Sequence, residues 1–463
     1  MSGAERYEPV IGLEIHVQLN TESKMFCRCE NRFGDEPNTR TCPVCLGHPG
    51  ALPTINAGAV EKAIQIGLAL DCDIAGRSQF HRKNYFYPDS PKAYQISQYD
   101  IPLCTGGHLG DVRIHRGQSG RIHGADTSVV DFNRCGTPLV EIVTEPDIHS
   151  PEQARKWLIL LRETVRQLGV SDVNMEEGSL RADANVSVRP EGSGELGTKT
   201  ELKNMNSFRF VERGIRAEIA RQTERLEAGE SVVQETLHFD PQSGTLTALR
   251  SKEEAHDYRY FPEPDLVPVE VSEAMIEAAR AGLPELPADR EQRYRSELSL
   301  SDENARVLAF RPQLGAYFEA ALASADGAEA QVVANWAREL ATRLGDRDPA
   351  ESKVEPAALA RLVGLVAEKA VTYDGARQVL DRLVEAGGDP EAIVAAEDLG
   401  ALGGGDELAP VVQAAIEANP DAATQVRAGK EQAMGPIIGH VMRETKGRAD
   451  GGEVRRLIRE QLG

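Results

Sequence analysis

The chain has 463 residues and a formal charge of -21, with 73 Asp and Glu against 52 Lys and Arg. A hydrophobic content of 41% with 27% charged residues excludes wholesale disorder, and the length predicts two to three domains. The acidic balance argues against non-specific binding to nucleic acid, so an RNA partner has to meet a local basic patch. The opening MSGAERYEP lacks the basic-then-apolar order of a secretory signal. No run approaches the roughly 18 apolar residues of a membrane span, so a cytoplasmic protein with reduced cysteines is expected.

In Val10 to Asn20, apolar Ile11, Leu13, Ile15, Val17 and Leu19 alternate with Gly12, Glu14, His16, Gln18 and Asn20. This period of two predicts a strand buried on one side, with Glu14 and His16 pointing the same way about 7 Å apart. A carboxylate and an imidazole so placed suit a shared cation or a phosphate-bearing ligand, and the same pattern also fits a strand whose second face is merely wet.

Cys27 and Cys29 are followed by Cys42 and Cys45 on knuckles containing Pro43, Gly47, Pro49 and Gly50. Two close thiolate pairs close a tetrahedral Zn²⁺ site with no open position, which predicts a structural metal. Cys72, Cys104 and Cys135 are isolated and read as small core residues. Residues 57–70 have helical spacing. Residues 81–99 then mix cations and aromatics in a stretch that reads as a loop, suited to stacking a base and holding phosphates or pinned by its own packing.

Later segments repeat the opening pattern. Glu141 and Glu145 share a face in residues 139–145. In residues 179–189 Leu180, Ala182, Ala184, Val186 and Val188 oppose Ser179, Arg181, Asp183, Asn185, Ser187 and Arg189, and Lys199, Glu201 and Lys203 fall together. Four charged strand faces predict a sheet whose second face is a site. Gly192, Gly194 and Gly197 spell GxGxxG and nearly a P-loop, but they lie between two strands and so read as a hairpin connection. Residues 212–226 read as an amphipathic helix and 233–250 as a hairpin turning at 240–244. Residues 257–265, aromatics and charges between prolines, suit the wall of a site.

Near residue 290 strand signals give way to helical periods, and 400–405 is Gly-rich. The expected domains are 1–290, 291–404 and 405–463. Residues 427–460 contain eight Lys or Arg and five Asp or Glu. Lys430, Arg443, Lys446 and Arg448 surround Met434 to Gly439, where small residues permit close helix packing or close approach of a ligand. Such a tail suits RNA backbone contact or is a solvated helix.

Taken together, IGLEIHVQL, the CxC and CPVCLG pair, HRKNYFYPDSPKAYQISQYD, NRCGTPLVEIVTEPD, MEEGSLRADANVSVRP, TELKNMNSF, SKEEAHDYRYFPEPDL and MGPIIGHVMRETKG resemble the B-subunit family of aspartyl/glutamyl-tRNA amidotransferases. The resemblance implies an α+β fold, an N-terminal antiparallel-sheet cradle like that of glutamine synthetase followed by all-helical domains. It implies ATP-dependent transamidation of misacylated tRNA(Gln) or tRNA(Asn). The family phosphorylates the side-chain carboxylate of the attached amino acid, and ammonia from a partner amidase (A) subunit displaces the phosphate. A small C subunit joins the two.

By the same resemblance Glu14, His16 and Glu141 match a Mg²⁺ site, with Glu177, Arg181 and Asp183 beside it. Lys83, Tyr85, Phe86, Lys92, Asn204, Asn206 and Ser207 would contact ATP, the zinc is structural, and the C-terminal helices contact tRNA. The family's acidic EEDxGK-type segment is missing from residues 111–126. Asp126 or water fills that place, the kinase step is weakened, or residues are deleted. A non-enzymatic tRNA-holding scaffold and a synthetase for a free amino acid are the competing readings.

Overall fold

The computed structural model describes residues 7–84, 91–118, 131–251, 258–345, 347–402, 404–445 and 447–463. The chain divides into two compact units, Met1–Leu286 and Pro287–Gly463.

The first unit is built on strand β1, Tyr7–Gln18. Ile11, Leu13, Ile15 and Val17 are at most 1% exposed, while Glu14 and His16 on the other face are only partly buried. The period-two pattern thus places one row in the core and the other in a cleft. The remaining labelled strands are β2 (Phe80–Asn84), β3 (Tyr94–Gln98), β4 (Val112–Gln118), β5 (Leu139–Thr144), β6 (Leu180–Pro190), β7 (Thr200–Met205), β8 (Glu235–Phe239) and β9 (Leu246–Ser251). In the large sheet the order is β9, β8, β7, β6, β1, β5, β4, then the short strands Cys104–Thr105 and Asp73–Ile74, with His108–Leu109 also paired to β4. The four segments with charged faces are therefore consecutive strands, β7, β6, β1 and β5.

Three helices share one core with this sheet: α1 (Ala57–Ala69), α2 (Pro151–Gln167) and α3 (Phe208–Glu227). In α2, Ser150 caps the Gln153 N–H and Pro151 opens the first turn, while Ala154, Trp157, Leu158, Leu161 and Val165 form its buried stripe. The α3 crossover returns the chain in the same direction, so β7 and β8 pair in parallel. The sheet is therefore mixed rather than wholly antiparallel as expected. The glycines of residues 192–197 do connect two antiparallel strands, β6 and β7, and β8 and β9 form the expected hairpin.

Residues 81–99, read as a loop, contain two strands. β2 and β3 pair antiparallel from Phe80 opposite Gln98 to Asn84 opposite Tyr94, and Phe261–Pro262 adds a third strand against β2. Proline and aromatic density hid the ladder because backbone hydrogen bonding, not side-chain alternation, defines it.

The second unit is helical, and its described residues contain no strand, only an isolated bridge between Val371 and Gly400. One core runs from Tyr294 to Leu399, with Trp336, Phe318 and Leu380 fully buried. A smaller one, from Leu408 to Leu462, belongs to the last helices. The two are joined within the unit by Thr372 Oγ1 donating to the Gly447 carbonyl (2.6 Å) and Leu402 N–H to the Arg448 carbonyl (3.1 Å). Among the described residues no helix is long and apolar enough to cross a membrane.

Candidate active site and metal centres

His16 lies opposite Glu141 in the pairing of β1 with β5, and opposite Arg181 in that of β1 with β6; Glu14 faces Asp183. Directly opposed strand residues have Cβ atoms about 5 Å apart, so the register alone collects these side chains. His16 Nε2 is 3.6 Å from Glu14 Oε1 and 3.8 Å from Glu141 Oε2. A donor atom from each of the three lies within 4.8 Å of the others, a set that fits a divalent cation. Burial, assisted by Lys203, Arg181 and Lys83 against the opposing pull of Asp183, lowers the His16 pKa to about 4. The imidazole is neutral near pH 7 and keeps the lone pair a metal needs. A hard cation such as Mg²⁺ favours the two carboxylates, with His16 completing or orienting the set.

Lys203 Nζ on β7 sits 3.2 Å from Asp183 Oδ2 and 3.0 Å from Glu201 Oε1. Burial lowers the Lys203 pKa, but these carboxylates more than reverse it, so the ammonium is held. The sequence places this cation with Lys199 and Glu201 on a charged strand face but assigns it no partner or role. Arg134, from the NRCGTP motif, was overlooked; its Nη2 donates to the Glu177 carbonyl at 3.0 Å. Glu177, expected on the strand face, is exposed in the turn that precedes β6, because the strand begins only at Leu180.

The nucleotide candidates are dispersed. Lys83 lies close enough to act on His16 and places Nζ 4.6 Å from the Tyr258 ring centre. Tyr99 and Tyr260 stack at 4.3 Å beside it in the small sheet's surroundings. Arg82 makes two 2.8 Å bonds to Glu263, whose side chain is fully buried. The stem of Lys92 packs on the cysteine knuckle, where a Cβ on Gly47 would come within 2.5 Å of its Cγ, while its Nζ lies 5.9 Å from the Tyr94 ring centre. Ser207 is the N-cap of α3, accepting from Phe210 N–H at 3.2 Å, and Asn206 is exposed beside it. Asn204 lies on β7. Tyr85, Phe86 and Asp126 fall outside the described residues.

Cys27, Cys29 and Cys42 place Sγ 3.4, 3.6 and 3.5 Å from Cys45 Sγ. Four sulfurs each 2.3 Å from a tetrahedral Zn²⁺ would be about 3.8 Å apart, so the donor set fits with a small expansion. A one-turn helix, Pro43–Leu46, closed by Gly47 at φ 68°, brings Cys42 and Cys45 together. Cys27 donating to Cys45 draws the Cys45 thiol down to about 4 against burial, with Lys24 assisting. Lys24 is only 1% exposed, with Nζ 3.8 Å from Cys45 Sγ and 2.8 Å from the Arg40 carbonyl. Of the isolated cysteines, Cys104 is buried and Cys72 packs against the same core. Cys135 instead lies partly exposed in the turn 133–136.

In the last helices Lys430 and Arg443 are exposed, and Lys446 falls outside the described residues. Arg448 is partly used internally, 2.8 Å from Asp398. A Cβ added at Gly435 or Gly439 would meet nothing within 4 Å, so close helix packing does not explain these glycines.

The family model for the GatB/GatE catalytic domain matches residues 9–277, and that for the GatB domain matches residues 316–462. The B subunit of the aspartyl/glutamyl-tRNA(Asn/Gln) amidotransferase of Frankia casuarinae is 49% identical, covering 99% of this chain and 96% of its own. The proteins of that name from Thermobifida fusca, 49% identical, and Anaeromyxobacter sp., 48% identical, cover 99% of this chain and 94% and 99% of their own. With a catalytic-domain model over more than half its length and about one residue in two identical from end to end, the chain belongs to the B-subunit family of these amidotransferases.

Proposed function

We propose that the chain is the component that binds tRNA(Gln) or tRNA(Asn) misacylated with glutamate or aspartate and phosphorylates the amino acid's side-chain carboxylate with ATP. A carboxylate is resonance-stabilised and its oxygen leaves badly, whereas an acyl phosphate has a good leaving group for ammonia to displace. Phosphoryl transfer asks for positioning and charge neutralisation more than covalent participation by protein. The observation that supports this most is the Glu14, His16 and Glu141 cluster, flanked across the same sheet face by Arg181, Asp183 and Lys203. Glu14, Glu141 and neutral His16 would hold Mg²⁺, which when bound neutralises phosphate oxygens and orients them for in-line attack. Lys83, near His16 and stacked on Tyr258, would meet the nucleotide.

The charged face thus acts as a cradle of the glutamine-synthetase kind, with Zn²⁺ on the four cysteines as structural support. Ammonia would come from glutamine hydrolysed by a partner amidase (A) subunit, with a small C subunit in the assembly. Lys430, Arg443, Lys446 and Arg448 would meet the tRNA backbone in the cytoplasm. Incubating the purified complex with glutamyl-tRNA or aspartyl-tRNA and labelled ATP tests the reading. Phosphate release should depend on the charged tRNA; its absence where that tRNA binds would leave only a scaffold.

A further inference from the structure

Lys203 on the charged sheet face is bonded to two carboxylates and Lys83 lies over an aromatic ring; Arg181 has neither kind of contact among the described residues. It stands opposite His16 in the β1 and β6 pairing. Among the described residues its half-buried guanidinium makes no hydrogen bond or ion pair, and the pull of Asp183 two residues along the strand is set against the repulsion of Arg134. Arg134 donates to the Glu177 carbonyl at 3.0 Å and lies 5.3 Å from the Phe33 ring; burial disfavours its charge and Asp131 only partly offsets that, with no ion pair among the described residues. The two heads meet beside Gly178. A Cβ there would be 3.5 Å from Arg181 Nε and Nη2 and 3.6 Å from Arg134 Nη2. Gly178 has φ 75°, so it both makes the turn and leaves that point open.

Two desolvated like charges side by side are costly unless an anion lies between them. Planar guanidinium forks match the oxygens of a phosphoryl group, and its double negative charge suits two arginines on one side and a divalent cation on the other. We infer that Arg134 and Arg181 clamp the terminal phosphoryl group of the nucleotide, across from the cation held by Glu14 and Glu141. The inference rests on the phosphorylation proposed above. In that step a substrate carboxylate oxygen bonds to the γ-phosphorus and the bond to the β,γ-bridging oxygen breaks. Its electron pair leaves on ADP. The arginines neutralise the peripheral oxygens and exchange no proton.

The test is calorimetric titration of ATP and, separately, ADP, each with Mg²⁺, into the full-length chain and its Arg181→Ala, Arg134→Ala and Arg181→Lys variants. Each alanine variant should lose about tenfold or more in ATP affinity while ADP affinity changes less than about twofold, the scale of a lost charge-assisted bond. Arg181→Lys, which keeps charge but not the fork, should fall between. ATP and ADP affinities moving together would mean a structural role and overturn the clamp, as would no change in either. If the ATP-selective loss appears but the wild-type complex releases no phosphate with charged tRNA, the clamp stands and the transfer reading fails. If release is normal in wild type and in both alanine variants, the transfer reading stands and the clamp fails.

Discussion

Replacing Glu141 with Gln removes one carboxylate from the cation cluster and leaves its volume and the β1 and β5 ladder in place. In the structure Glu141 faces His16 directly, 3.8 Å from Nε2, and is mostly buried. Unit charges about 4 Å apart interact by about 4 kcal/mol at an effective dielectric near 20. A divalent ion doubles the attraction, and lost hydration offsets part of it, so about 4 kcal/mol is a reasonable net figure. At about 1.4 kcal/mol per decade that is a fall of roughly 10³ in tRNA-dependent phosphate release, or a matching rise in the Mg²⁺ needed. Affinity for charged tRNA, measured by filter binding at fixed salt, should stay within about twofold because the residue lies in the cluster and not in the basic tail. A Glu141→Gln enzyme that releases phosphate within tenfold of wild type at low Mg²⁺ would refute the metal role.

Metal analysis should find one zinc per chain, and Cys42→Ser should lose it and melt at lower temperature, since the thiolate set is closed by that residue. A stable, zinc-free wild type would mean the four thiols serve otherwise. Arg82→Ala leaves the Glu263 carboxylate buried without its forked partner and should cost about 3–5 kcal/mol, read from the urea midpoint. A loss under 1 kcal/mol would show that water reaches that carboxylate. Ending the chain after Gly405 should weaken tRNA binding and flatten its dependence on salt, because the removed segment contains Lys430, Arg443, Lys446 and Arg448; equal affinity and slope would place the RNA contacts elsewhere.

The alternation in β1 and β6 was legible because a strand buried on one side leaves a period-two trace, and Ile11, Ile15, Ala184 and Val186 are all fully buried. The thiol spacing likewise exposed the Cys27, Cys29, Cys42 and Cys45 cluster. What stayed hidden depends on pairing. Glu145, placed with Glu141 by spacing alone, bonds His115 instead, at 2.8 Å. A bulge between Ile114 and Arg116 shifts the register there. The packing of the Lys92 stem on Gly47 of the cysteine knuckle was likewise invisible in the spacing, since it joins segments far apart in sequence. The α2 stripe and its start signals, the Ser150 cap and Pro151, were present in the sequence but not read there.

The arrangement of charge across four strands explains why a sheet suits this chemistry. On β7 and β6, Lys203 is enclosed by Glu201 and Asp183, so its charge is already spent within the protein. Further along β6, Arg181 has no bonded counter-ion among the described residues, and across β1 the Glu14 and Glu141 carboxylates surround a neutral imidazole. Strand rise and pleat fix these groups at intervals that side-chain motion changes little. The face therefore presents a negative pocket beside a positive one, the pattern expected for a cation and a phosphoryl group held together.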